Sequence, residues 1–123
     1  MREIEINSRK YFIEYGQNAL CALEDQMKES IPEIMDSLSK EPEKRLSSFR
    51  FTRALFWAGL KSRRRNITLE EAGDILEQSG SEYMNVIKIA IEEISNCMVS
   101  IFPASETEEE GAEKEKNVTA TSC

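Results

Sequence analysis

The sequence predicts a mainly α-helical fold: a small domain of four to five helices, opened by an N-terminal β-hairpin and followed by a disordered acidic tail. Three patterns predict it. Apolar residues recur at three- and four-residue spacing through most of residues 19–102, as on the inner face of helices. Residues 3–15 alternate instead, the period of a strand. The last twenty residues carry six Glu, two Lys and little apolar area to offset the entropy of ordering them. The helical domain therefore covers 1–103 and the tail 104–123.

In the hairpin, Ile4 and Ile6 alternate with charged neighbours, and Tyr11, Ile13 and Tyr15 form the second set. Between them, Asn7-Ser8-Arg9 supplies the turn, because Asn tolerates left-handed backbone. Gly16 breaks the strand. A lone two-stranded ribbon is barely stable in water, so this one has to lean on the helices or pair with another copy. Its edge is thus a candidate for homo-oligomer formation.

Asn18 is the expected cap of a first helix from Ala19 to about Lys28, with Leu20, Leu23 and Met27 inward and Cys21 read as a small buried hydrophobe. Ser30, Pro32 and Glu33 spell the cap, early proline and capping-box glutamate of a second helix ending near Leu38, with Ile31, Ile34, Met35 and Leu38 inward. After a loop at 39–41, Pro42 suits the first turn of a third helix, Glu43 to Leu60. That helix is apolar on two sides: Leu46, Phe49, Phe56, Trp57 and Leu60 on one, Phe51, Ala54, Leu55 and Ala58 on the other. Such a helix is buried or clamped between partners. Arg50, Arg53 and Arg64 lie near one stripe if it continues that far. Thr68 and Glu71 form a second capping box, Gly80 ends that helix, and Ser81 starts the last one. The broad apolar side of the last helix, from Tyr83 through Ile87, Ile94 and Cys97 to Phe102, makes it the expected organiser of the core, with a dimer seam as the rival.

Composition excludes several functions. The 123 residues include no histidine, so there is no His-based triad, general base or zinc ligand. The three cysteines, Cys21, Cys97 and Cys123, are far apart and odd in number, which fits a reducing compartment better than a disulfide scaffold. The glycines do not cluster into a phosphate-binding loop, and the carboxylates have no EF-hand spacing. Glu24, Asp25, Glu70, Glu71 and Asp74 are explained as solvated or capping helix residues. The expectation is therefore a non-enzyme without cofactor or metal. The longest charge-free run, 94–105, has 12 residues, too few to span a membrane, and the N-terminus has no signal-peptide core.

Charge is unevenly placed. The net charge is −7, of which −4 sits in residues 104–123. By contrast, residues 44–65 hold eight basic side chains and no acid. Phe49, Phe51, Phe56 and Trp57 interleave with Arg50 and Arg53 there, superficially like a nucleic-acid surface. Their helical spacing and the overall negative charge count against nucleic acid. Arg63-Arg64-Arg65 suits an acidic protein surface, or the Glu108 to Glu110 run of this chain's own tail, at least as well.

Two blocks carry a resemblance. Tyr11-Phe12-Ile13-Glu14-Tyr15-Gly16, with Asn18-Ala19-Leu20 and Leu23-Glu24, resembles the opening of tail assembly chaperones from long-tailed bacteriophages and prophages. Arg53-Ala54-Leu55-Phe56-Trp57-Ala58-Gly59-Leu60, followed by Leu69-Glu70-Glu71-Ala72-Gly73, resembles their middle. The likeness extends over roughly 3–95. It implies a non-catalytic protein of the bacterial cytoplasm, absent from the mature virion, that keeps the tape-measure protein soluble and recruits tail tube subunits. Such proteins often have a frameshift-extended form, and this chain resembles the short one. The client surface expected on this basis is a groove lined by Phe49, Phe56, Trp57 and Leu60 and edged by Arg50 and Arg53, although the apolar residues can equally encode packing. Arg63, Arg64 and Arg65 stand where the family more often has a short polar or proline-containing loop. The competing expectation is a prophage-encoded adaptor or regulator that binds another protein or nucleic acid through segment 44–65.

Overall fold

Asn7 and Ser8 decide where the chain first reverses. Their φ angles are 54° and 68°, the left-handed pair whose twist suits a two-residue hairpin turn. Strand β1 (Arg2–Ile6) thereby pairs antiparallel with β2 (Arg9–Ile13), placing Ile4 opposite Tyr11 and Glu5 opposite Lys10. Arg9 belongs to the strand rather than the turn. The computed structural model describes residues 1–102; the tail predicted over 104–123, with Cys123, lies outside the described residues.

Six α-helices follow among the described residues. Helix α1 (Gln17–Met27) starts earlier than Asn18 suggested: Gly16, in extended conformation, occupies the cap position, and no side chain caps this end. Helix α2 (Ile31–Lys40) has the expected capping box, Ser30 with Glu33. Glu24 adds to it by accepting the Ile31 N–H at 2.7 Å, so three donors left over at this helix end are satisfied by side chains. The helix expected over 43–60 is two. Helix α3 (Pro42–Leu46) follows a single residue, Glu41, and α4 (Phe49–Leu60) starts afresh at Ser48, whose hydroxyl accepts the Phe51 N–H at 3.3 Å. A competent cap thus overrode a periodicity that ran through it. Helix α5 (Leu69–Gln78) carries the Thr68–Glu71 box. Gly80, with φ +55°, turns the chain beyond it, and a short 3-10 turn (Gly80–Glu82) delays α6 (Tyr83–Ile101) past Ser81.

The chain divides into two compact units, Met1–Glu93 and the part from Ile94 onward. In the first, α4 is the hub. It packs on α1, α3, α5 and β2. Phe51, Ala54, Leu55, Phe56, Ala58 and Leu60 are all buried, as expected of a helix apolar on two sides. The hairpin leans on this helix rather than standing free. The Glu14 N–H donates to the Gly59 carbonyl at 2.9 Å, and the Tyr15 hydroxyl donates to the Leu55 carbonyl at 2.6 Å. Gly59 makes the approach possible: a Cβ there would lie 2.8 Å from Tyr15 Oη and 2.9 Å from Ile13 Cγ2. Several inward assignments are corrected. Cys21 is exposed, because its position on α1 falls beside the buried stripe of Ala19, Leu20 and Leu23. Met35 and Leu38 are only half-buried, since Ile31 and Ile34 already fill the inner face of α2. In the second unit the described part is the end of α6, where Val99, Ile101 and Phe102 are exposed. No helix among the described residues is long and apolar enough to cross a membrane.

Candidate protein-binding site

Capping at Ser48 places Phe49 in the first turn of α4, where its side chain is 75% exposed, while Phe51, two residues on, is fully buried. Phe49 meets Tyr83 edge-on, with ring centroids 6.3 Å apart and planes at 63°. Thr52, one turn along and almost fully buried, holds this corner: its hydroxyl bonds that of Tyr83 and also lies 3.3 Å from the Phe49 carbonyl. A groove of about 470 Å³ opens here. Helix α4 contributes Phe49, Arg50 and Arg53, α5 contributes Leu76 and Glu77, and α6 contributes Tyr83.

Arg53 owes its position to Gly73, on the facing helix. A Cβ at Gly73 would come within 3.1 Å of Arg53 Cδ, so the glycine leaves a seat for the arginine stem. Arg53 Nε is buried without a hydrogen-bond partner. Among the described residues, neither Arg50 nor Arg53 has a carboxylate within ion-pair distance. The groove therefore combines apolar walls with two cations able to donate charge-assisted hydrogen bonds.

The other predicted contact residues lie elsewhere. Phe56 and Leu60 are fully buried and line no surface. Trp57 is half-buried; its indole N–H donates to the Ile67 carbonyl at 3.0 Å, and Lys61 Nζ sits 5.0 Å above its ring. Trp57 thus fastens loop 61–67 to α4. The groove expected from Phe49, Phe56, Trp57 and Leu60 together is not formed, because those four positions face different neighbours. Since α4 ends at Leu60, Arg64 also leaves the Arg50/Arg53 stripe. Tyr83, Leu76, Glu77 and Gly73 were missed as site residues. They come from other helices, and no local pattern pointed them toward Phe49.

The basic segment is only partly available. Arg45 is paired with Glu29 through both terminal guanidinium nitrogens and stacks 4.9 Å over Phe51. Arg63 lies 4.9 Å over the Phe12 ring, and Arg64 lies 5.5 Å over Tyr11. Tyr11 and Phe12 are adjacent in β2 and point to opposite faces, so the arginine loop straddles the ribbon. A second cleft, of about 570 Å³, lies between the loop, the ribbon and α5.

Titration is perturbed at structural positions. Burial pushes the Tyr15 hydroxyl far above the usual tyrosine range, and the Glu93 carboxylate adds to it. Hydrogen bonds from the Ser30 backbone and hydroxyl hold the Glu33 carboxyl below its usual range. Burial raises the Cys97 thiol, which lowers its thiolate fraction. Among the described residues, no group of three or more acidic or cysteine side chains is placed to hold a metal ion. In comparisons with known proteins, the chain matches no family model, no curated protein and no solved structure.

Proposed function

We propose that this chain is a non-catalytic phage tail assembly chaperone of the bacterial cytoplasm, which binds the tape-measure protein, keeps it soluble and helps recruit tail tube subunits. The resemblance of residues 11–24 and 53–73 to that family supports the assignment. The observation that carries it is the 75% exposure of Phe49 at the mouth of a groove edged by Arg50 and Arg53. Leaving a phenylalanine in water forgoes about 1.5–3 kcal/mol of burial, a cost that a partner's apolar surface would recover. An amphipathic helix laid into such a groove would cover Phe49 and Tyr83 and offer acidic flanks to the arginines.

Co-expression with the tape-measure protein tests the proposal. The wild-type chain should raise the soluble fraction of that protein and co-purify with it. Phe49→Ala should abolish co-purification while leaving the circular dichroism unchanged and lowering the melting temperature by only a few degrees, because the side chain is mostly in solvent and meets Tyr83 edge-on. A wild-type chain that neither solubilises nor co-purifies with the tape-measure protein overturns the assignment.

A further inference from the structure

The arginine triplet takes no part in the groove at Phe49. Two of its guanidinium groups rest on aromatic rings, Arg63 on Phe12 and Arg64 on Tyr11. Such stacking fixes the planes of the groups, which lowers the ordering cost of binding an anion. Arg63 gives one N–H to Met1 Sδ at 2.8 Å, whereas the Arg64 N–H edge has no partner among the described residues. Arg9, from the start of β2, faces the same cleft. Among the described residues, Arg9, Arg64 and Arg65 have no carboxylate within ion-pair distance, and Arg63 has only Glu14 at 3.9 Å.

We propose that this cleft is a second docking site, and that it takes an acidic segment of a protein partner. Three observations favour a protein over a nucleic acid. Tyr11, the aromatic residue lining the cleft, is only 7% exposed and carries Arg64 on its ring, so it offers no open face to stack a base. The opposite wall carries Glu71 and Asp74, which repel a continuous run of phosphates. A peptide can turn its carboxylates to the arginines and a neutral or basic residue to that wall. Between the two walls, Ile67 and Ile75 are each 8% exposed and offer an apolar floor. The site is independent of the groove at Phe49 and stands or falls without it.

Amide NMR of the full chain tests this, with an acetylated Glu-Glu-Leu-Glu-Glu peptide as probe. Its isosteric Gln-Gln-Leu-Gln-Gln counterpart and an oligothymidylate are the comparisons. The glutamate peptide should shift the amides of Arg9 and residues 63–67, and the glutamine peptide should not. Arg64→Gln with Arg65→Gln should weaken binding by about tenfold or more, as expected for lost charge-assisted hydrogen bonds. Arg9→Gln with Arg65→Gln should also weaken it, without disturbing either aromatic stack. Phe49→Ala should leave it unchanged. The proposal is overturned by shifts that centre on Arg50 and Arg53, by arginine variants that bind normally, by oligothymidylate binding as tightly as the glutamate peptide, or by no response at residues 63–67.

Discussion

Gly59→Ala should weaken the protein, although the same change in an ordinary helix strengthens it. Alanine at a helical position gains about 1 kcal/mol over glycine in propensity. Here the added methyl would sit 2.8–2.9 Å from Tyr15 Oη, Tyr15 Cζ and Ile13 Cγ2. Ile13 is fully buried and Tyr15 is 8% exposed, so neither can swing into solvent. Overpacking of this kind costs about 1–3 kcal/mol. Relief by lifting the ribbon would weaken the Tyr15–Leu55 and Glu14–Gly59 hydrogen bonds, at about 1 kcal/mol each. The net expectation is a loss of about 2 kcal/mol, or roughly 8–16 °C in melting temperature for a domain of this size. Urea unfolding followed by far-UV circular dichroism and by the fluorescence of Trp57, the single tryptophan, measures it. Gly16→Ala is the control: nothing lies within 4 Å of a Cβ there, so the change should stay within about 0.5 kcal/mol. Tyr15→Phe should cost less in the Gly59→Ala background than in the wild type, because there it also removes the nearest clashing atom. A Gly59→Ala protein as stable as wild type, or more so, would refute docking of the ribbon through this backbone approach.

Two further outcomes follow from the same contacts. Tyr15 ionises above its usual range when folded and near pH 10 when unfolded, so the unfolded state releases the proton first as pH rises. Stability contributed by the neutral hydroxyl is present below about pH 10 and declines above it; Tyr15→Phe should lower stability at pH 7 by about 1 kcal/mol and flatten that alkaline decline in urea titrations. Trp57→Phe should cost about 1 kcal/mol by orphaning the Ile67 carbonyl, and should speed amide hydrogen exchange in residues 61–67 while α4 stays protected.

What could be foreseen depended on the range of the interaction. The hairpin turn and the boxes at Ser30–Glu33 and Thr68–Glu71 are set within four or so residues, and the alternation and capping rules found them. The break at Ser47–Ser48 is also local, but the apolar spacing across it suits one helix as well as two, and a serine inside such a run does not by itself mark a cap. The opposite fates of Phe49 and Phe51 were beyond reach, because a helix apolar on both sides does not say which side its neighbours will cover. The same holds for the site. Phe49, Arg50 and Arg53 were named from the sequence and do line one groove, whereas Phe56 and Leu60 shared their stripe and went to the core. The stacking of Arg63 and Arg64 on β2 joins residues some fifty positions apart, which no spacing rule addresses.

The docking of the ribbon on α4 also sets an order of events during synthesis. The Tyr15–Leu55 bond spans 40 residues, so the ribbon leaves the ribosome well before its support exists. At about 5–20 residues per second, that interval is roughly 2–8 s. Throughout it, Ile4, Ile6, Tyr11 and Ile13 form an apolar face on a structure too small to persist alone. The nascent chain is therefore exposed to unwanted strand pairing until α4 emerges, and slowing translation between codons 16 and 60 would lengthen that exposure.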